Sequence, residues 1–80
     1  KDPSNKLICR HLTSSADYFE TAAIKFEDCV RAYTYTISVC STKKNKDIAE
    51  RRARVCESNI GAAKDHAYKA ILDSEPYCEN

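Results

Sequence analysis

Apolar residues in the first half of the chain recur at the alternating four- and three-residue spacing of a helix that packs against another helix. One series repeats every seven residues from Cys9 to Ile37, and a second series, offset by three, runs from Leu12 to Cys40. The members are Cys9, Ala16, Ala23, Val30 and Ile37, and Leu12, Phe19, Phe26, Tyr33 and Cys40. The pattern predicts one long helix, although Ser14 and Asp17 could also cap a second helix that restarts near residues 13–15.

The second half repeats the same spacing with much smaller residues. Its two series are Ala49, Cys56, Ala63 and Ala70, and Ala53, Ile60 and Ala67. Small residues let a neighbouring helix approach closely, so the aromatic residues of the first half are expected to enter shallow holes between these alanines. On the outer surface, Asp47 with Arg51 and Glu50 with Arg54 have the four-residue spacing of favourable ion pairs.

Few residues that break helices interrupt either half. Asp2 is the predicted N-cap of the first helix, and Pro3 is its predicted first helical residue. Pro76 is expected to end the second helix at Glu75. Between the halves, residues 41–45 are polar, and Asn45 is the predicted N-cap of the second helix. The sequence therefore predicts an all-α fold, an antiparallel helical hairpin in a single domain of residues 1–80.

Two segments allow other structures. Residues 33–39 alternate apolar and polar residues with high β-propensity, which is typical of a strand. Such a strand could pair only with its own copy across a dimer, so a helix with a weakened last turn is the favoured interpretation. Gly61 either marks close helix approach in the hairpin or, in a compact monomer whose N-terminal segment folds back, ends a shorter helix as its C-cap.

Five cysteines in 80 residues predict a disulfide framework formed in an oxidising compartment. In an antiparallel hairpin, facing residues have a constant sum of positions; Cys9 with Cys78 gives 87, and Cys29 with Cys56 gives 85. Both sums place the turn near residue 43, so these pairs are the predicted bridges and Cys40 is left over. An odd cysteine favours an interchain bond, and two hairpins joined through Cys40 would form a disulfide-linked homodimer, a four-helix bundle. A buried free thiol is the alternative for Cys40.

The composition of the chain limits the cellular compartments and the classes of partner that it suits. The mean hydropathy is −0.60, and no apolar run reaches the roughly 20 residues that cross a bilayer, so no transmembrane segment is predicted. The formal net charge of +1 argues against a protein that binds nucleic acid. The disulfide framework predicts a secreted, extracellular protein, and the lack of a signal-peptide pattern then predicts a mature product whose leader has been removed.

Catalytic chemistry has little support in the sequence. Asp65 beside His66 resembles the acid–imidazole pair of hydrolases, but neighbours on a helix point about 100° apart and no nucleophile accompanies them. A metal site that combines His11 with His66 is a remote alternative. No cysteine spacing suits zinc, and there is no glycine-rich phosphate loop. The sequence predicts a protein without enzymatic activity, cofactor or metal.

The most localised feature is a cluster of positive charge. Residues 43–54 contain six basic residues against Asp47 and Glu50, a net charge of +4, which leaves −3 for the rest of the chain. The six are Lys43, Lys44, Lys46, Arg51, Arg52 and Arg54. A solvated helix face is the simplest interpretation. The functional interpretation is a target-binding end that contacts an acidic protein receptor, a sulfated glycan or an anionic headgroup.

These features favour a secreted, non-enzymatic effector that docks rigidly on a protein target, a class that includes toxins, salivary or host-directed factors and pheromone-like signals. The alternative is a carrier that encloses a small apolar ligand between the helices of the dimer. Its cavity walls would be Phe19, Phe26, Tyr33 and Ile60. The alanines that face these aromatic residues indicate close packing instead of a cavity.

Overall fold

The computed structural model describes residues 3–78 and consists there of two long helices joined by a short turn. Helix α1 spans Ser4–Val39 and helix α2 spans Lys43–Cys78, with 36 residues each. The Cα atoms extend over 63 × 13 × 13 Å, and their radius of gyration is 18.2 Å, against about 12 Å for a compact domain of this length. The molecule is therefore a rod two helices thick, which confirms the all-helical hairpin.

Two disulfides fix the antiparallel register of this rod. Cys9 is bonded to Cys78 with a Cα–Cα distance of 5.0 Å, and Cys29 is bonded to Cys56 with a Cα–Cα distance of 6.1 Å. These are the two pairs that the constant sum of positions predicted. Cys40, at the end of α1, is half-buried and carries a free thiol. We call the end of the rod near Cys40 the turn end, and the end near Cys9 and Cys78 the open end.

The buried residues are those of the predicted seams, and nearly all of them are small. They are Ala16 and Ala23 of α1 and Ala49, Cys56, Ala63, Ala67, Ala70 and Ser74 of α2. The larger seam residues Phe19, Phe26 and Tyr33 are only half-buried. No large side chain in the described part of the rod is fully enclosed. The helices are in close contact through alanine, but the core between them is thin, because two helices cannot surround an aromatic ring.

Helix α1 is continuous through residues 13–15, where a second helix could have started, and through residues 33–39, which resemble a strand. The hydroxyl of Thr13 donates to the carbonyl of Cys9 at 2.9 Å, and that of Thr36 donates to the carbonyl of Ala32 at 2.9 Å. Such bonds let threonine remain inside a helix without an unpaired hydroxyl. The restart near residues 13–15 is therefore wrong, and residues 33–39 are helical because Tyr33 lies on the seam.

The turn is shorter than predicted, and α2 is capped by a different residue. Helix α2 begins at Lys43, and the side-chain oxygen of Thr42 accepts a hydrogen bond from the backbone N–H of Asn45 at 3.3 Å. Thr42, not Asn45, is therefore the N-cap. As a consequence Lys43 and Lys44 belong to the helix and not to a loop.

The outer helix ends also differ from the prediction. Pro3 occupies the N-cap position of α1 and not the first helical position, while Asp2 lies outside the described residues. Pro76 does not end α2, which continues to Cys78. A proline in the last turn removes one backbone donor but leaves few later residues to disturb. The bond from Cys78 to Cys9 holds this turn against α1.

Gly61 neither ends α2 nor marks a close approach of the helices. It lies inside α2, is exposed, and a Cβ built on it meets no atom within 4 Å. We expect Gly61→Ala to raise the free energy of unfolding by about 1 kcal/mol, because alanine loses less backbone entropy in a helix. Urea denaturation followed by circular dichroism measures this. A loss of stability would show that the side chain meets a neighbour after all.

Candidate functional site

The six basic residues of the predicted site lie together at the turn end of the rod. Each is in the first 12 residues of α2, and each is exposed. At a rise of 1.5 Å per residue, the helix carries them over about 17 Å of its length. We call the group Lys43, Lys44, Lys46, Arg51, Arg52 and Arg54 the basic tip. Because the chain outside residues 43–54 has a net charge of −3, the rod is electrically asymmetric along its axis.

The arginines of the basic tip are not neutralised by their own helix. Asp47, Glu50, Arg51 and Arg54 line a shallow depression of about 380 Å³. In the described part of the chain, no carboxylate oxygen lies within 4.0 Å of a nitrogen of these arginines. The ion pair that does form there joins Asp28 to Arg31, both in α1. The predicted pairs Asp47–Arg51 and Glu50–Arg54 are therefore not formed, as is common for exposed charges that gain little from pairing.

The lysines of the basic tip occupy an electrostatically unfavourable place. The first turn of α2 contains no acidic residue, and Lys43, Lys44 and Lys46 stand at or next to it. The N-terminus of a helix carries a partial positive charge, so each cation there costs about 0.3–1 kcal/mol. An anion at the same place would be stabilised by both the lysines and the unpaired N–H groups of the helix. The local structure thus favours an acidic ligand.

Two apolar residues beside the basic tip were not among the predicted site residues. Ile48 and Val55 line an open groove of about 360 Å³ together with Arg51 and Arg52. They are seven residues apart and lie one position before the seam residues Ala49 and Cys56, so they form a second apolar row on α2. That spacing is visible in the sequence and could have revealed the row.

The residues predicted as walls of a ligand cavity take part in helix packing. The ring of Phe19 stacks on that of His66 with centroids 5.0 Å apart, and Phe26, Tyr33 and Ile60 are half-buried along the seam. A separate open groove of about 630 Å³ lies at the open end. Its lining residues are Ile8, His11, Leu12, Leu72, Asp73, Pro76 and Tyr77. None of the four predicted wall residues lines this groove.

The two histidines are far apart. His11 lines the open-end groove together with Pro76, which is ten residues from His66, or about 15 Å along α2. Within residues 3–78 there is no group of three or more histidine, cysteine or acidic side chains placed to hold a metal ion. In the same range neither helix has a stretch long and apolar enough to cross a membrane.

Fold and site together define a class of protein, a disulfide-crosslinked antiparallel helical hairpin that carries a basic end. No protein family, characterised protein or solved structure matches the chain at a significant level. Its function must therefore be inferred from the geometry and the charges of the rod itself.

Proposed function

We propose that the protein is a secreted, non-enzymatic effector that docks on an acidic surface of a protein target through the basic tip. The observation that carries this proposal is a group of six exposed cations at one end of a crosslinked rod, none of which has a carboxylate partner among residues 3–78. A toxin, a salivary or host-directed factor and a pheromone-like signal would all act in this way.

The rod suits rigid docking. Two disulfides hold α1 and α2 in one register, so the backbone of the basic tip loses little conformational freedom when it binds. The same bridges support secretion, because structural disulfides persist in oxidising compartments. The charge asymmetry along the axis would turn the basic tip toward an acidic surface as the two molecules approach, which increases the association rate at low salt.

Cys40 extends this proposal to a disulfide-linked homodimer. Its thiol lies at the turn end, a few residues from the basic tip, and is half-buried. A bond between two Cys40 thiols would bring two basic tips to the same end of the assembly. Two adjacent tips raise the local positive potential and let the dimer contact an acidic target at two places.

A matched pair of triple variants tests the basic tip. The probes are immobilised poly-glutamate, as a stand-in for an acidic protein surface, and heparin. We expect Arg51→Ala, Arg52→Ala and Arg54→Ala together to weaken binding about 10-fold or more, because charge-assisted contacts are lost. The control triple Arg10→Ala, Lys64→Ala and Lys69→Ala removes the same charge from other parts of the rod and should change the affinity less than about twofold.

The outcome distinguishes a site from bulk charge. Equal weakening by both triples would show that net charge alone attracts the probe, and the basic tip would not be the binding site. Binding to heparin with none to poly-glutamate would point to a sulfated glycan and not to a protein target. Titration with salt should reduce the affinity of the wild type more steeply than that of the tip variant.

A carrier of small apolar ligands is the second candidate. The open-end groove favours it, because Ile8, Leu12 and Leu72 supply an apolar lining that a second chain could cover. A fluorescent apolar probe that binds stoichiometrically and is displaced by a fatty acid or a steroid would support this function. The effector function requires no such binding.

A further inference from the structure

The two broad sides of the hairpin differ in chemistry. The seam residues occupy positions a and d of a heptad, with a at Cys9 in α1 and at Ala53 in α2. In an antiparallel pair, positions g of both helices flank one side of the seam and positions e flank the other. We call the side formed by positions c and g of both helices the neutral face, and the side formed by positions b and e the charged face.

Charge is distributed unequally between these faces. Within the two helices each face comprises 21 residues, of which 13 are charged on the charged face and four on the neutral face. The four are Lys25, Arg52, Lys69 and Asp73. Depletion of charge is the compositional mark of the centre of a protein interface, whereas a solvated surface keeps its charges.

At the open end, residues of both helices form one continuous part of the neutral face. Ile8 and His11 of α1 line the open-end groove together with Asp73 and Pro76 of α2, and all four occupy positions c or g. At the turn end, Ile48 and Val55 belong to the same face. Large apolar side chains protrude from it along the whole rod. They are Ile8, Tyr18, Val39 and Val55, which are 36%, 71%, 60% and 60% exposed. The charged face also exposes Ile24, Tyr68 and Ile71, so the property that distinguishes the neutral face is its lack of charge.

The exposed area of the rod is large enough for a stable dimer. The chain exposes 6150 Å², whereas a compact monomer of 9.0 kDa exposes about 4,900 Å². A face 63 Å long and 13 Å wide covers roughly 800 Å², which is what each partner buries in an interface of standard size. The surplus of about 1,250 Å² therefore exceeds the roughly 800 Å² that pairing of the neutral face would bury on each copy.

We propose that the neutral faces of two copies pack against each other and form a four-helix bundle. The proposal deepens the proposed function, since a bond between two Cys40 thiols requires two copies to run parallel, with their turn ends together. A second copy fits the whole length of the face, whereas a small ligand would cover only one groove. The charged faces then point outward on both sides, so that the assembly closes at two copies.

Two double variants with matched exposure test this pairing. Tyr18→Glu with Val55→Glu places carboxylates on the neutral face, one on each helix. Ile24→Glu with Tyr68→Glu places them on the charged face, at residues that are 58% and 64% exposed. Both doubles are made in a Cys40→Ser chain, so that mass reports non-covalent pairing only. Sedimentation equilibrium measures the mass, and circular dichroism with bridge mapping verifies the fold.

We expect the Cys40→Ser chain to be a dimer at micromolar concentration and the charged-face double to remain one. The neutral-face double should dissociate about 100-fold more readily, because each substitution acts twice across a two-fold interface. A Cys40→Ser chain that is monomeric throughout would overturn the proposal, and so would equal weakening by the two doubles.

The failure of this inference and that of the proposed function can be told apart. Loss of binding to poly-glutamate in an Arg51→Ala, Arg54→Ala double tests the basic tip alone, because these two arginines lie outside the neutral face whereas Arg52 is part of it. If the Cys40→Ser chain pairs but the wild type forms no Cys40–Cys40 bond on oxidation, the neutral-face contact stands and the covalent link does not. If the wild type dimerises only through Cys40, the neutral-face contact is wrong.

Discussion

Replacing Cys9 and Cys78 with serine in a Cys40→Ser chain lowers the free energy of unfolding by about 4 kcal/mol. The bridge joins residues separated by 69 positions, and closing so long a loop removes much conformational entropy from the unfolded chain. The folded rod has little else to offset this loss, because its core is a row of small side chains and no large side chain among residues 3–78 is fully enclosed. Urea denaturation against the Cys40→Ser parent measures the change.

The location of the effect is as informative as its size. Without this bridge the open end is expected to fray, so amide hydrogen exchange should accelerate near residues 4–15 and 70–78, where no other covalent link joins the helices. Cys29→Ala with Cys56→Ala opens a shorter loop, with a separation of 27 residues, and should cost about 3.5 kcal/mol, with exchange accelerated in the middle of the rod. If the free energy of unfolding of either double variant stays within about 1 kcal/mol of that of the parent, the bridges are not what stabilises the thin core.

Ala63→Leu is expected to destabilise the rod by about 1–3 kcal/mol. Ala63 is 5% exposed in the middle of the seam, where the helices meet through small side chains. Leucine has almost the same helix propensity as alanine, so the change reports the added volume and not the helix itself. The larger side chain must push α1 away or adopt a strained rotamer.

The neighbouring residue supplies the control. Ala62→Leu introduces the same side chain one position earlier, where the residue is exposed, and should leave the free energy of unfolding unchanged or slightly higher. Because Ala62 lies on the neutral face, both variants are made in the Cys40→Ser chain that carries Tyr18→Glu and Val55→Glu, in which pairing is weakened, and thermal unfolding at equal concentration gives the comparison. Equal stability of the Ala63 and Ala62 variants would mean that the helices are not in close contact at the seam.

The seam was predictable because its signal is redundant. The seven-residue repeats of α1 and α2 each extend over several turns, so a single misleading residue does not change the pattern. Residues 33–39 illustrate this, since their β-propensity is a local property, whereas Tyr33 and Ile37 continue a repeat that begins at Cys9. Packing along the whole seam outweighs a weak local preference.

The helix ends were predicted less well, because an end depends on one or two hydrogen bonds. Thr42 and Asn45 are both good N-cap residues, and the bond from the N–H of Asn45 to Thr42 settles which of them acts. Pro76 carries a strong signal to stop a helix, but the bond between Cys78 and Cys9 holds the last turn in place. Neither contact can be inferred from the propensity of the residues concerned.

The sequence by itself determined two helices, their antiparallel direction, both intrachain bridges and the cluster of six cations, because periodicity and cysteine register follow from the order of residues along the chain. Only the tertiary structure decided that the arginines of the basic tip stand without carboxylate partners among the described residues, and that both helices contribute to one groove at the open end of the neutral face. Those properties depend on where side chains lie across the gap between two helices, and a pattern along a single helix does not contain that distance.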